Sequence, residues 1–600
     1  MEQSKIEQML ASLNPAQREA ATYNIGPLLV LAGPGSGKTR VLTSRIAWLL
    51  SQDKAEANEI LAITFTNQAA DEISQRLQEA LGQELPRVST FHSWAYQLLK
   101  EGRLDKELLT PIDEELAKDL FKDCALNLGH KAKEAGELYK TLSKLRQEWP
   151  LNVDSVPTLN KLYGEYRQQL HRLGVCDFDE LILDALRLLS DDHDLRQELI
   201  AKIKWILIDE FQDVSPAQYE LLKLLAPKNA NITFVGDPCQ SIYSFRGAEP
   251  ELINHLQADF PGLETIWLDI CYRCPQNFLD GASHMLKAGA PNLFVPKLVS
   301  SKGTGKKIAL KVCRDEYTEA RWIARTIDKI VGGLSFDSIN FGKASGQTMR
   351  SFNEIAVLYR LNALGDLLEK ELKLQGIPVN RPGKAVKSIN SDLKKLHHLW
   401  EIVHNKNRKF HLEMLAAKTA EDKVNESSLR ELELMCLRIE PAELLLKLAQ
   451  YLELDIDSPS IQGLLKRVKH QQGSFNLSLF MRDEADLLDL NFEAVSLLTL
   501  HAAKGLEFPI VFVAGCETGL IPWKENKLID EERRLFYVGL TRAEDELYLS
   551  YAKKRSFWGQ RIKGEPSPFI KDIPGNLLRP IKTQRTKKQK AKTRQLTLFD

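Results

Sequence analysis

The segment AGPGSGKT, residues 32–39, has the residue types of a loop that holds phosphate groups. Its glycines let backbone N–H groups converge on phosphate oxygens at the N-terminus of a helix. The Lys38 amine can then reach the β- and γ-phosphates of a nucleotide, and the Thr39 hydroxyl can bind Mg²⁺. The sequence therefore predicts a P-loop. The alternative is a glycine-rich turn without a ligand, and the GKT ending argues against it.

Two carboxylates occupy the positions that such a loop needs for metal binding and water activation. Residues 205–208 predict a buried strand, and Asp209 and Glu210 follow at its carboxyl end, where open α/β sheets bind ligands. We expect Asp209 to bind Mg²⁺ and Glu210 to act as the base or to orient water. Two acids after a strand often only cap a helix. The neighbouring P-loop favours the catalytic interpretation.

A third polar segment follows another apolar strand, in ITFVGDPCQSIYSFRGA, residues 232–248. The amide of Gln240 is a candidate sensor of the γ-phosphate. Tyr243, Phe245 and Arg246 form an aromatic and basic cluster of the kind that stacks on nucleic-acid bases. Taken alone, such a cluster is more often part of a hydrophobic core.

The elements that position these residues are those of a large α/β protein. Strand-sized apolar runs such as Leu28–Leu31 precede each polar segment, and helical periodicity begins at Arg40. A chain of 600 residues exceeds one hydrophobic core, so we expect several domains. The composition, 43% hydrophobic and 27% charged, is typical of globular proteins, and no apolar run is long enough to cross a bilayer.

The charge and cysteine counts place few limits on function. The 81 basic and 81 acidic residues neither indicate nor exclude nucleic acid, because a binding groove needs local charge rather than an overall excess. Eight cysteines do not make a disulfide framework, and the start MEQSKIEQML does not read as a signal peptide. We therefore expect a reducing, intracellular compartment.

Eleven segments lie in the order in which the UvrD/Rep/PcrA family of superfamily 1A DNA helicases carries its motifs, and the chain resembles that family. The segments are LNPAQREA (13–20), AGPGSGKT (32–39), ITFTNQAADEISQRL (63–77), STFHSWAYQLL (89–99), DFDEL (177–181), DEFQD (209–213), GDPCQSIYSFRGA (236–248), LDICYRCPQNFL (268–279), IAVLYRLNALGDLLEKEL (355–372), LLTLHAAKGLEFPIVFVAG (497–515) and EERRLFYVGLTRAEDELYL (531–549).

The resemblance implies an α/β fold with two RecA-like P-loop motor domains, each a parallel sheet flanked by helices, and with inserted, mainly helical subdomains 1B and 2B. The subdomain 2B is short for the family and begins RPGKAVKSINSDLKKL, without the usual signature, which leaves its regulatory role open. The predicted spans are 1–95 and 200–285 for motor domain 1A, 96–199 for 1B, 286–380 and 492–572 for 2A, 381–491 for 2B, and 576–600 for a disordered basic tail.

The resemblance also implies an ATP site between the motor domains. Gln17 would read the adenine edge, and Tyr272 would stack on the ring. Arg273 and Arg542 would reach the γ-phosphate from the second motor domain, so that hydrolysis depends on closure of the cleft. The implied catalytic residues are Lys38, Glu210, Gln240, Arg273 and Arg542, and the metal ligands are Thr39 and Asp209. The implied nucleotide contacts are Gln17, Ala32, Gly33, Pro34, Gly35, Ser36, Gly37, Lys38, Thr39, Arg40, Tyr272, Arg273, Glu507 and Arg542.

For DNA, the family pattern implies aromatic stacking and contacts along the strand, because a motor that steps along any sequence cannot depend on base edges. His92 and His501 have a metal-binding alternative, but neither lies in a cluster of zinc spacing. Gln68 and Phe245 stand where the family commonly has Lys and Trp. The implied DNA contacts are Thr64, Phe65, Thr90, His92, Tyr243, Phe245, Arg246, Arg360, Asn362, Thr499 and His501.

Cys271 and Cys274 flank Tyr272 and Arg273, where Asn and Ser are usual in the family, and Cys239 precedes Gln240. One CxxC without a second is weak evidence for zinc. The simplest interpretation is a set of small, semi-buried side chains. The sharper hypothesis is that oxidation near the γ-phosphate site silences the ATPase.

From about residue 576 the chain has the composition of a disordered basic tail, and it ends in QLTLFD. The segment QLTLF resembles the pentapeptide by which bacterial proteins bind the DNA polymerase sliding clamp. It makes Gln595, Leu596, Leu598 and Phe599 the expected clamp contacts, with the apolar side chains as anchors. The alternative is a solvated basic tail that attracts nucleic acid weakly. The bacterial form of the motif also indicates a bacterial source.

These features predict an ATP-dependent 3′–5′ DNA helicase or single-stranded DNA translocase that uses Mg²⁺ and acts in repair or replication. Its expected partners are single-stranded and tailed duplex DNA and the sliding clamp, without a membrane, in the cytoplasm at the bacterial nucleoid. One alternative is a translocase that strips proteins from DNA but separates strands poorly. Another is a clamp-tethered adaptor with a switching ATPase, and the intact residues Lys38, Glu210, Arg273 and Arg542 argue against it. A fused nuclease finds no support after residue 549.

Overall fold

The computed structural model describes residues 2–82, 85–102, 110–227, 230–244, 247–289, 295–332, 350–381, 385–404, 411–412, 415, 426–436, 439–468, 493–557 and 560–582. Within these residues helices alternate with strands that pair mainly in parallel, which confirms the predicted α/β class. Over the same ranges, no helix has both the length and the apolar character needed to cross a bilayer.

The strands follow one another along the described residues in two groups. The first group is β1 Leu28–Ala32, β2 Ile60–Thr64, β3 Arg87–Thr90, β4 Thr110–Pro111, β5 Val175–Cys176, β6 Trp205–Ile208, β7 Asn231–Gly236, β8 Glu264–Leu268, β9 Ile270–Cys271 and β10 Val299–Ser300. The second group is β11 Ile308–Cys313, β12 Ile355–Tyr359, β13 Val379–Asn380, β14 Val495–Thr499, β15 Phe508–Val513, β16 Ala543–Ala552, β17 Lys554–Phe557, β18 Gln560–Lys563 and β19 Leu578–Ile581.

The α-helices up to residue 289 are α1 Glu2–Ala11, α2 Pro15–Ala21, α3 Lys38–Ser51, α4 Asn67–Leu81, α5 Phe91–Gly102, α6 Glu114–Asn127, α7 Ala132–Leu145, α8 Pro157–Arg172, α9 Phe178–Asp191, α10 His193–Lys202, α11 Pro216–Leu225, α12 Leu256–Asp259 and α13 Gln276–Gly289. Those that follow are α14 Glu316–Ile330, α15 Asn362–Leu374, α16 Ala385–Val403, α17 Glu426–Cys436, α18 Pro441–Tyr451, α19 Pro459–Val468, α20 Ile529–Leu540 and α21 Pro568–Lys571. Short 3₁₀ helices include Phe211–Asp213 and Pro238–Gln240.

The first sheet has six parallel strands in the order β3-β2-β6-β7-β1-β8. Strands such as Leu28–Ala32 and Trp205–Ile208 are buried at every position, because helices cover both faces of the sheet. Helices α5, α9 and α11 pack on one face, and α3 and α4 pack on the other. The carboxyl ends of β1, β6 and β7 therefore open at one edge, where the predicted polar segments begin.

The second sheet has seven parallel strands in the order β13-β14-β12-β15-β16-β11-β19. Helices α14 and α15 pack on one face. Helices α13, α20 and α21 pack on the other, in a core that also contains Cys239, Cys271 and Cys274. This shared core places the segments that follow β7 and β8 of the first sheet directly beside helix α20 of the second.

Two helical groups stand apart from the sheets with cores of their own. Helices α6, α7 and α8 enclose Phe121, Tyr139 and Tyr166, and helices α16 to α19 enclose Trp400 and Leu445. These groups lie within the spans predicted for 1B and 2B. The residue boundaries of the four domains stay predictions. The packing of α13 on the second sheet favours a boundary before residue 276 rather than at 285.

Candidate functional site: a nucleotide site between two parallel sheets

The P-loop connects β1 to α3 with a backbone that only glycine adopts readily. Gly35 and Gly37 have φ values of +65° and +86°, in the left-handed region that favours glycine. A Cβ atom at Gly37 would lie 2.8 Å from Gln17 Nε2, and one at Gly35 would lie 2.4 Å from Arg273 Cβ. The loop is therefore closely enclosed by two of the residues that the family pattern assigns to the nucleotide.

Lys38 begins α3 and points at the carboxylate that follows β6. Its Nζ lies 3.0 Å from both carboxylate oxygens of Glu210, and both side chains are largely buried. Burial would raise the pKa of Glu210, but the positive charges of Lys38 and Lys504 outweigh it and lower that pKa to about 2. The glutamate is therefore ionised at neutral pH, as a base or water-orienting group must be.

Asp209 and Glu210 are adjacent but have opposite environments. Burial and the neighbouring charge of Glu210 raise the pKa of Asp209 to about 7. Glu210 has a φ of +50°, an uncommon conformation for a residue with a side chain. Backbone strain of this kind persists where the surrounding structure enforces it, often at functional sites. A cation beside Asp209 would favour its charged form, so the carboxylate and the Thr39 hydroxyl suit Mg²⁺ as oxygen ligands.

The Gln240 side chain connects the first sheet to the second. Its Nε2 donates to Asp237 Oδ2 at 2.6 Å, and its Oε1 accepts from Arg542 Nη2 at 3.0 Å. Arg542 is fully buried and also donates to the carbonyl oxygens of Val538 and Leu506. Burial and the charge of Arg273 lower the pKa of Arg542 to about 9, so the guanidinium remains charged at neutral pH.

Arg273 pairs with Glu507 in this structure. The Nε atom of Arg273 lies 2.7 Å from Glu507 Oε2, and its Nη1 atom lies 3.5 Å from the carbonyl oxygen of Thr541. Both members of the pair were expected to touch the nucleotide. The structure brings them together beside the P-loop, and a nucleotide phosphate would compete with Glu507 for the guanidinium.

The predicted adenine contacts meet at the start of α2. Asn14 and Gln17 form a reciprocal cap on this helix, and Gln17 Nε2 donates to the carbonyl oxygen of Ser36 in the P-loop at 2.8 Å. The Tyr272 hydroxyl accepts from Asn14 Nδ2 at 2.9 Å, and its ring is 41% exposed. An exposed ring next to a fixed amide is a suitable platform for a purine. Arg40 donates to Ser12 at the rim.

Two rings that were predicted to stack on bases stack on each other. The centroids of Phe65 and Tyr243 are 4.8 Å apart, with an angle of 19° between the planes. Lys504 Nζ lies 4.9 Å from the centroid of the Tyr243 ring. Both rings are half-buried, and they follow β2 and β7 at the same edge of the first sheet as the P-loop.

Four other residues that were predicted to contact the DNA strand are either buried or already paired with another side chain. Thr64, Thr90 and His92 have exposures of 1%, 7% and 8%, and the His92 ring meets Phe178 edge to face. Arg360 makes a two-pronged ion pair with the buried Glu532, at 2.6 to 3.1 Å. The structure thus does not present these four side chains openly to a ligand.

The remaining predicted contacts of the second sheet lie at the ends of β12 and β14. Asn362 is exposed, and its carbonyl oxygen accepts from Arg381. Thr499 accepts from the backbone of Ala502, and His501 is half-buried. Phe245 and Arg246 lie outside the described residues, as do the clamp-like residues Gln595, Leu596, Leu598 and Phe599.

Two family models match most of the chain. The model of the UvrD/REP helicase N-terminal domain matches residues 13–261, and that of the UvrD-like helicase C-terminal domain matches residues 266–456 and 476–554. The chain belongs to the UvrD/Rep helicase family. The predicted resemblance is therefore confirmed, and the two parallel sheets correspond to the two RecA-like motors of this family.

Curated relatives of this helicase span almost the whole chain. The ATP-dependent DNA helicases PcrA of Staphylococcus epidermidis and Staphylococcus aureus are each 30% identical to it, over 95% of this chain and 87% of theirs. A solved C-terminal domain of a possible DNA helicase from Lactobacillus plantarum covers 52% of this chain, at 14% identity and a TM-score of 0.23. At that score the structural likeness adds nothing to the family assignment.

Several residues of the helicase site were missed in the sequence. Lys504 contacts Asp213 and the carbonyl oxygen of Gln240, and Gln212 links Glu210 to the backbone of Asp237. All of them lie inside the motif segments, but position within a motif does not reveal which side chain reaches across the cleft.

In the described residues no cluster of three or more His, Cys, Asp or Glu side chains has the geometry of a metal site. The zinc interpretation of CYRC and the metal alternatives for His92 and His501 therefore gain no support.

Proposed function

We propose that this ATP-dependent DNA helicase moves 3′ to 5′ along single-stranded DNA, and that its ATP site and DNA path are linked by side chains that cross the cleft. The observation that carries the proposed link is the reach of Lys504 and Arg542 from the second sheet to Asp213 and Gln240 on the first. Lys504 also lies over the ring of Tyr243, so one cation touches both the nucleotide side and the proposed base-stacking side.

In this proposal the P-loop holds the phosphates and Lys38 exchanges Glu210 for the β- and γ-phosphates. Thr39 and Asp209 would hold Mg²⁺, which when bound would supply positive charge beside the transferring phosphoryl group. Glu210 orients or deprotonates the attacking water. Arg542 from the second motor and Arg273 from the segment after β8 stabilise the transition state. Gln240, which is hydrogen-bonded to Arg542, senses the γ-phosphate.

On the DNA side, a base would enter between or beside Phe65 and Tyr243, whose stack in this structure would open to admit it. Asn362, Thr499 and His501 would lie along the strand, and Arg360 would join them only after releasing Glu532. The proposed 3′–5′ polarity and the proposed role in repair or replication rest on the resemblance of the motifs to those of the UvrD/Rep/PcrA family. The terminal QLTLF would hold the motor at the sliding clamp in the bacterial cytoplasm.

Strand displacement tests the proposal directly. Duplexes with a 3′ tail, a 5′ tail or no tail are incubated with ATP and the full chain, with Glu210→Gln as the control. We expect unwinding of the 3′-tailed duplex alone, and none with the variant. Unwinding from the 5′ tail would refute the polarity. DNA-stimulated ATP hydrolysis without strand separation would identify a translocase that moves along DNA but separates strands poorly.

A further inference from the structure

The turn Cys271–Cys274 leaves β9 and is fixed against the P-loop. The backbone N–H of Tyr272 donates to the carbonyl oxygen of Gly35 at 2.8 Å. A Cβ atom at Gly35 would lie 3.2 Å from Cys271 Sγ, in addition to its close approach to Arg273. Because the turn and the loop touch without spare room, a change in the shape of the turn must move either Arg273 or the phosphate-binding backbone.

The two cysteines of the turn are in contact with each other. The backbone N–H of Cys274 donates to Cys271 Sγ at 3.4 Å. Cys274 Sγ lies 3.3 Å from the carbonyl oxygen of Thr541, which belongs to the segment just before Arg542. Both side chains are fully buried, between the P-loop and the end of α20.

The two thiols differ in pKa. Cys271 has the character of the attacking cysteine, and Cys274 has that of the resolving cysteine. The side chain and backbone N–H of Cys274 lower the pKa of Cys271 to about 6, although burial opposes them. The neighbouring Cys271 and burial raise the pKa of Cys274. Burial also raises the pKa of Cys239, the third cysteine of this core, so Cys239 stays a thiol. One thiolate next to one thiol is the arrangement that oxidises in two steps.

We propose that Cys271 and Cys274 are oxidised by hydrogen peroxide to an intramolecular disulfide, and that this disulfide reversibly inactivates the ATP site. The Cys271 thiolate attacks one peroxide oxygen, the O–O bond breaks, and the second oxygen leaves as hydroxide. The Cys274 thiol then attacks the sulfenic sulfur, forms the S–S bond and releases water. In total two thiols lose two electrons and two protons, and one peroxide becomes two waters. A dithiol reductant reverses the reaction by thiol–disulfide exchange.

The disulfide would act on the ATP site through Arg273, because Arg273 lies inside the four-residue loop that the disulfide closes. Cys274 would turn away from the Thr541 carbonyl oxygen toward Cys271, and the Arg273 backbone would follow. The effect on ATP hydrolysis rests on the proposed role of Arg273, whereas formation of the bond does not. A displacement of about 1 Å in such a group is expected to lower the turnover by about a hundredfold.

The test treats the full chain with hydrogen peroxide, then measures DNA-stimulated ATP hydrolysis and maps the peptide that contains residues 271–274 by mass. The site variants are Cys271→Asn and Cys274→Ser, which introduce the residues usual in the family. The matched control is Cys436→Ser, which replaces a cysteine of helix α17. We expect a cross-link and at least about tenfold loss of activity in the natural chain and in Cys436→Ser, with recovery after dithiothreitol. We expect no cross-link in either site variant, and retained activity in Cys271→Asn.

Three results would overturn the proposal. The first is the absence of the cross-link in the oxidised natural chain. The second is a cross-link that leaves ATP hydrolysis unchanged. The third is equal loss of activity in Cys271→Asn. If the reduced natural chain hydrolysed no ATP at all, the proposed helicase function would fail, while the cross-link would still be read by mass.

Discussion

The Lys504 amino group forms an ion pair with Asp213 and donates to the carbonyl oxygen of Gln240 at 2.7 Å. Lys504 follows β14 of the second sheet, whereas Asp213 and Gln240 follow β6 and β7 of the first. The amino group also lies over the Tyr243 ring. One side chain therefore joins the two motors at the point where the nucleotide site meets the proposed base-stacking rings.

Replacement of Lys504 should weaken the link between DNA binding and ATP hydrolysis. Lys504→Met keeps the length of the side chain but removes the charge, so the buried Asp213 loses its partner. We expect DNA-stimulated hydrolysis to fall by about ten- to a hundredfold, with a smaller change in hydrolysis without DNA. Steady-state rates with and without an oligonucleotide measure both. Lys527→Met, at an exposed position of the same motor, is the control. Equal losses with and without DNA would show that Lys504 serves the nucleotide site alone.

The contact between Arg542 and Gln240 should appear as coupling in a double-mutant cycle. Arg542→Ala alone should reduce hydrolysis by about a hundredfold or more, because a fixed cation near the transferring phosphate is lost. Gln240→Ala should cost less. Since the two side chains are hydrogen-bonded at 3.0 Å, the double variant should be less impaired than the sum of the single free-energy losses predicts. Additive losses would mean that the contact is unimportant during turnover.

Loss of the Tyr243 ring should weaken binding of single-stranded DNA. Tyr243→Leu removes one partner of the stack with Phe65, and base–aromatic stacking contributes about 1–3 kcal/mol per base, so the affinity should fall by about five- to a hundredfold. Fluorescence anisotropy with a labelled oligonucleotide at constant salt measures it. Tyr243→Phe keeps the ring and is the matched control. If Tyr243→Leu bound as tightly as the natural chain, the stacked pair would be ordinary packing.

The end of the chain should bind the sliding clamp without affecting the motor. Replacing Leu598 and Phe599 by alanine removes both apolar anchors of QLTLF. We expect binding to an immobilised bacterial clamp to be lost and DNA-stimulated ATP hydrolysis to be unchanged. Alanine at Thr597, the variable position of the pentapeptide, provides the control. Undiminished clamp binding by the double variant would remove this segment from the proposed interaction.

The low pKa of Cys271 gives a pH-dependent signal that needs no access for a reagent. Since its pKa is lowered to about 6, the thiolate should form as the pH rises from about 5 to 7, well before an ordinary cysteine ionises. The difference in ultraviolet thiolate absorbance between the natural chain and Cys271→Asn should rise over that range. In a Cys274→Ala variant the midpoint should move upward, because the side chain that lowers the pKa of Cys271 is gone. A midpoint near 8.5 in the natural chain would contradict this environment.

The class of fold and the set of chemical groups could be predicted from local sequence patterns. Apolar strand, polar turn and helix follow one another around Lys38 and Asp209, and this local order specifies a parallel sheet with its ligands at the carboxyl edge. The order of the motifs determined the family as well, because glycines, cations and carboxylates of a phosphoryl-transfer site need specified neighbours along the chain. These properties depend on local sequence and can be read from it.

Which of these groups are in contact could not be predicted in this way, because it depends on the packing of distant segments. Arg273 pairs with Glu507, Arg360 with Glu532, and Lys504 with Asp213, although 172 to 291 residues separate the partners along the chain. The contacts of Arg273 and Lys504 depend on how two separately formed sheets pack, and that of Arg360 depends on how helix α20 packs on its own sheet. No local pattern encodes either packing. The packing of the two sheets also buries Cys271 and Cys274 against the P-loop. As a result, the thiols of Cys271 and Cys274 have different pKa values.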